Sequence, residues 1–136
     1  MRVMVFGKAA AGGGEGAAPT AKAFAAMDVT MDELARAGIL VAAAGLRNDA
    51  EARRIAPDGA VAAGPFAEGR DLVLGFSIWQ VSDMDEAVAW AQRNPLAAAG
   101  EIEIRPFYEP EDLAEYLTPE ELAKPRTGER GRLGVA

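Results

Sequence analysis

The run LVLGFSIWQV, residues 72–81, restricts the fold more than any other stretch of the chain. As an extended strand it sends Leu72, Leu74, Phe76 and Ile78 to one side and Val73, Trp79 and Val81 to the other, with Gly75 and Ser77 between them. A strand in a sheet wetted on one side alternates apolar with polar residues. This strand is apolar on both sides. ILVAAAGL, residues 39–46, shares the property. A sheet built on these runs therefore needs cover on both faces. Helices from the same chain can cover one. The economical cover for the other is a second copy of the same sheet in a two-fold dimer. Short helices near the C-terminus are a rival cover, and both could contribute.

The rest of the chain supplies the first cover. Residues 2–7, RVMVFG, read as a strand, followed by a small-residue loop over 8–19. A helix is predicted over 20–37, with Phe24, Met27, Met31 and Leu34 as its apolar stripe and Gly38 placed to stop it. ARRIA and AVAAG flank Pro57-Asp58-Gly59, a turn sequence, and read as a hairpin. After residues 72–81, Asp83-x-x-Glu86 has capping-box spacing and opens a helix that Pro95 closes. Its inner face is Met84, Ala87, Val88 and Ala91. EIEIRPFY, residues 101–108, is the last strand, and short acidic helices follow over 111–116 and 119–124. The order β-α-β, hairpin, β-α-β predicts an α+β, ferredoxin-like sandwich with an antiparallel sheet and helices on one face. Paired sheet to sheet, two subunits make a dimeric α/β barrel. In EIEIRPFY, Ile102, Ile104 and Pro106 share one face and Glu101, Glu103, Arg105 and Phe107 the other. If the second set turns inward, the barrel gains a cavity with charge in it.

The 136 residues are expected to form one domain over 1–124 and a flexible Gly- and Arg-rich tail over 125–136. A net charge of −7 argues against duplex nucleic acid as a partner. No apolar run is long enough for a signal core or a membrane span. With no Cys there is no disulfide framework, which fits the cytoplasm. With neither His nor Cys, soft-metal sites lack their usual ligands, and no metal or cofactor is expected. Ser-His-Asp and Cys-His chemistry is closed to this chain. Any acid or base must be a carboxylate, Lys, Tyr or water.

The corner AAGPFAEGRD, residues 62–71, holds the main candidates. Gly64-Pro65 combines adaptability with a fixed dihedral, so the corner can aim Phe66, Glu68, Arg70 and Asp71 reproducibly. Glu68 or Asp71 is the candidate base, with Phe66 and Arg70 as candidate binding residues; the plainer reading pairs Arg70 with a neighbouring carboxylate and uses Phe66 as a plug. Arg105 is a candidate anchor for a substrate carboxylate, against neutralisation by Glu101 and Glu103 at a dimer seam. Trp79 is a candidate ligand platform, against a core or dimer-contact role. Asp28 and Asp32 lie one helical turn apart, and their plain reading is a solvated flank with an Asp32–Arg36 pair. Residues 12–17, GGGEGA, fit a phosphate-cradling glycine pattern formally. They begin five residues past Gly7 and lack the parallel-sheet context, so a loop is the better reading.

These stretches resemble the YCII-related superfamily, in its branch called the DGPF family. The likeness covers about residues 2–122. It rests on VMVFGKA, LARAGILVAAAGL, GPFAEGRDLVLGFSIWQVSDMDEAVAWAQRNP and GEIEIRPFYEPEDL, in that order. The resemblance implies a compact ferredoxin-like domain that dimerises, in a family whose members mostly lack an established activity. Ala63 stands where the family has Asp before Gly-Pro-Phe, and Glu68-Gly69-Arg70-Asp71 keeps the family's charge pattern with altered residues. A related branch uses a His–Asp pair to remove chloride from a hydroxylated ring; without His that mechanism does not carry over. The expectation is a homodimer whose cleft binds a small organic molecule, with cofactor-independent acid–base chemistry such as isomerisation, elimination or hydrolysis. The alternative is a non-catalytic binding or regulatory module that acts through protein contacts, linked to transcription.

Overall fold

The computed structural model describes residues 1–9, 21–66, 72–95 and 100–124. Its elements in chain order are β1 (Arg2–Lys8), α1 (Ala21–Arg36), β2 (Leu40–Gly45), a 3-10 turn (Asp49–Glu51), β3 (Arg53–Ile55), β4 (Val61–Ala63), β5 (Val73–Gln80), α2 (Met84–Gln92), β6 (Ile102–Pro106), α3 (Pro110–Leu113) and α4 (Pro119–Ala123). Four strands form one sheet in the order β2-β5-β1-β6, every neighbouring pair antiparallel. β1 and β2 run parallel with β5 between them. β5 and β6 run parallel with β1 between them. This is the split β-α-β arrangement of a ferredoxin-like α+β fold.

Alternation divides the sheet. Val3 faces Trp79 and Val5 faces Ser77 across β1 and β5, and all four are buried. Val3, Val5, Leu34, Ile39, Trp79, Val81, Ala87 and Ala91 form one core cluster, with Met31, Met84, Trp90, Ile102 and Ile104 packed against it. That is the helix-covered face. Trp79 is fully buried at its centre, and among the described residues its indole N–H has no hydrogen-bond partner.

The local stops follow the residues. Gly38 takes φ 74°, open to glycine at little cost. The Ile39 N–H then reaches the Leu34 carbonyl at 2.9 Å and the Gly38 N–H the Ala35 carbonyl at 3.1 Å. Those two bonds make a Schellman stop, with Leu34 and Ile39 buried together beneath it. Asp83 caps α2 by accepting the Glu86 N–H at 2.8 Å. The return half differs from the predicted box. The Glu86 carboxylate reaches past Asp83 to accept the Ser82 N–H at 2.7 Å and its hydroxyl at 2.6 Å. Ser82 offers two donors on one residue, which outweighs the single N–H of Asp83.

The predicted stripe of α1 departs from expectation at its first half. Leu34 is its one buried residue; Met27 and Met31 are half-buried, and Phe24 is 59% exposed. The hairpin of β3 and β4 also stands apart. It is a separate two-stranded sheet, and all six of its residues are exposed. Among the described residues no helix is long and apolar enough to cross a membrane.

Candidate functional site

The face of the sheet turned away from α1 and α2 carries the first candidate surface. Register places Ala44, Phe76, Phe6 and Glu103 in one row across all four strands. The next row is Ala42, Ile78, Met4 and Arg105. Leu74 lies on the same side of β5, 47% exposed, whereas Ile78 is buried by its neighbours. Apolar side chains thus fill the β2 and β5 part of the face and the middle of β1, and charge lies at the two ends of β1, with Arg2 and Lys8, and along the β6 edge. There the Lys8 ammonium sits 2.7 Å from a Glu103 carboxylate oxygen. The hydrogen bond from Lys8, and its charge, hold the Glu103 carboxyl below the usual carboxylate range. Arg105 is exposed one row further on. The sequence set of Glu103 and Arg105 therefore lies opposite Ile102 and Ile104, which pack into the core. Below it, Arg2 is held by both oxygens of Glu109 at 3.2 Å and stands 5.2 Å from the Phe107 ring centre.

The second candidate is a cleft at the corner. The Gly64-Pro65 bond is cis. A side chain at Gly64 would collide with the Asp49 carbonyl oxygen, so glycine is what lets the corner lie against the 3-10 turn. The Asp49 carboxylate accepts the Phe66 N–H at 2.8 Å and pins the chain there. Arg54 lies over the Phe66 ring, 4.4 Å from its centre. Arg47, on the turn after β2, pairs with Glu51 at 3.2 Å. These residues and Leu46, Leu72 and Val73 line an open cleft of about 380 Å³. Sequence reasoning had Phe66 but missed Arg47, Asp49 and Arg54. They read as turn and hairpin polar residues, and only the fold over Gly64 brings them to Phe66.

The sequence candidates thus separate. Phe66 lies in the corner cleft. Arg105 lies on β6, at the far edge of the sheet. From Val73 at the cleft wall to Arg105 is five residues along β5 and two strand spacings across, on the order of 20 Å by strand dimensions. Trp79 has no exposed surface to offer a ligand. Glu68, Arg70 and Asp71 lie outside the described residues, as do the glycine-rich residues 12–17 and the tail 125–136. Asp28 and Asp32 are both exposed on α1. Among the described residues no group of His, Cys, Asp or Glu is arranged to hold a metal ion.

The YCII-related domain family model covers residues 1–110, and the chain belongs to that family. No curated protein is similar enough to the chain to count as a match.

Proposed function

We propose that the chain, a YCII-related domain of the DGPF type, works as a cytoplasmic homodimer that pairs through its helix-free sheet face and holds a small organic molecule in a cleft beside that face. The observation that carries this is the two-row apolar surface of Ala42, Ala44, Met4, Phe6, Phe76 and Ile78, bordered along its β1 and β6 side by Arg2, Lys8, Glu103 and Arg105. Apolar side chains over three strands favour burial against another apolar surface. A two-fold axis would bring a like surface to them. Charge at the border then serves a polar ligand group without breaking the apolar centre. In this reading Arg105 anchors an anionic group on the ligand. Glu68 or Asp71 supplies the base for proton-transfer chemistry that needs no cofactor; with Arg105 about 20 Å from the corner within one subunit, base and anchor reach one small ligand only when they come from opposite subunits.

Thermal-shift screening against metabolites tests the ligand half of the reading. A ligand that raises the melting temperature of the natural chain is expected to lose its effect in Arg105→Ala and Glu68→Ala. Equal shifts in all three proteins would remove those residues from the site. A second reading is a non-catalytic module whose same face takes a different protein. The absence of His from the chain favours it, because the acid–base pair of a related branch is missing. A stoichiometric foreign protein co-purifying in place of the twin would support that reading.

A further inference from the structure

The corner cleft lies off the main sheet and stands independently of how the helix-free face is covered. We propose that it is a binding site for a small aromatic carboxylate, with the Arg54 guanidinium as the group that takes the carboxylate.

Among the described residues Arg54 is the cleft's unspent cation. Arg47 is paired with Glu51 at 3.2 Å. Asp49 is engaged by the Phe66 N–H at 2.8 Å. Among the described residues no carboxylate lies within ion-pair distance of Arg54; its contact is the Phe66 ring at 4.4 Å. Stacking uses the face of a guanidinium and leaves the N–H donors on its edge. The ring therefore orients the fork without consuming it. Those edge donors match the two oxygens of a carboxylate in a bidentate pair.

The apolar part of the lining is Leu46, Leu72 and Val73, with Ala52 adding a small side chain. Aliphatic side chains beside an oriented cation suit an apolar body with one anionic end. The cleft is open to solvent, and its volume of about 380 Å³ falls at the lower end of the range for ligand pockets, about 300–1,000 Å³. One ring and a carboxylate fit that space. Glu51 and Asp49 on the polar side disfavour a second negative charge, which sets a monocarboxylate ahead of a phosphate.

The test is an amide NMR titration of the full chain with benzoate, benzyl alcohol and inorganic phosphate in parallel. Benzoate is expected to shift the amides of Arg47, Ala52, Arg54 and Phe66 with Kd below about 1 mM. Benzyl alcohol, which keeps the ring and loses the charge, should bind at least about tenfold more weakly. Arg54→Gln should weaken benzoate by a similar factor, and Arg54→Lys should fall between, since it keeps the charge without the planar fork. Arg93→Gln, a surface change at α2, should leave binding as it was. Benzoate shifts that miss the cleft, or equal affinity in Arg54→Gln, would overturn the proposal. So would phosphate bound as tightly as benzoate, because the apolar lining would then contribute nothing. A chain that proves monomeric yet binds benzoate in this way would sink the sheet-face dimer and leave the cleft standing.

Discussion

At the scale of single residues, Trp79 shows how a buried side chain can carry opposing effects. It is fully enclosed, yet its indole N–H finds no partner among the described residues. A buried donor without a partner costs about 1–3 kcal/mol. Trp79→Phe removes that donor and opens a small void, so the two changes offset. Chemical denaturation should place this variant within about 1 kcal/mol of the natural chain. Trp79→Ala removes the packing as well and should cost about 3–5 kcal/mol. A second residue-scale expectation concerns acid. Glu86, Glu103, Glu109 and Glu121 all titrate below the usual carboxylate value. Hydrogen bonds are the first cause in each, from Ser82, Lys8, Arg2 and the Thr118 N–H in turn. A depressed folded-state pKa means that the unfolded chain takes up protons first as pH falls. The stability these groups contribute is therefore complete above about pH 4.5 and is lost as pH drops through their folded values. Thermal melts should be level from neutrality down to about pH 5 and decline below it, and a melting point unchanged at pH 3 would contradict this. Because all four keep contact with solvent, the decline should be shallow and should weaken with salt.

At the scale of elements, the sequence made most of the fold legible because its signals were local. Gly38 after a helical pattern, Pro57-Asp58-Gly59 between short strands and Asp83 before α2 each act within a few residues of themselves. Gly38 also gives an element-scale test. Nothing lies within 4 Å of a side chain added there, so Gly38→Ala meets strain from φ 74° alone. The expected loss is about 1–2 kcal/mol by denaturation, with the end of α1 fraying first in hydrogen exchange. A neutral Gly38→Ala would mean that the stop does not hold α1. What the sequence hid depends on distant contacts. The spacing of Phe24, Met27, Met31 and Leu34 gives the pitch of a helix but not how far the sheet extends beneath it. The corner cleft was hidden for the same reason. Asp49 meets Phe66 across seventeen positions of chain, and no periodicity links them. Its Arg54 lies on an exposed strand of a hairpin whose pattern predicts only a ribbon.

At the scale of the whole molecule, the account turns on the two-sided strand with which the sequence begins its argument. Leu72, Leu74, Phe76 and Ile78 against Val73, Trp79 and Val81 call for cover on two faces. The helices cover the Trp79 side, where Val3, Val5, Leu34 and Ala87 complete the core. The Phe76 side, with Met4, Phe6 and Leu74, is left to a partner in the reading argued above. Sedimentation of the purified chain at micromolar concentration, alone and as Leu74→Glu, tests this most directly. Leu74 is 47% exposed, so a carboxylate there is tolerated by a lone subunit and opposed by an apolar interface. The account predicts twice the chain mass for the natural protein and a folded single-chain mass for Leu74→Glu. A natural protein that sediments as a folded monomer, or a Leu74→Glu dimer as tight as the original, would contradict it.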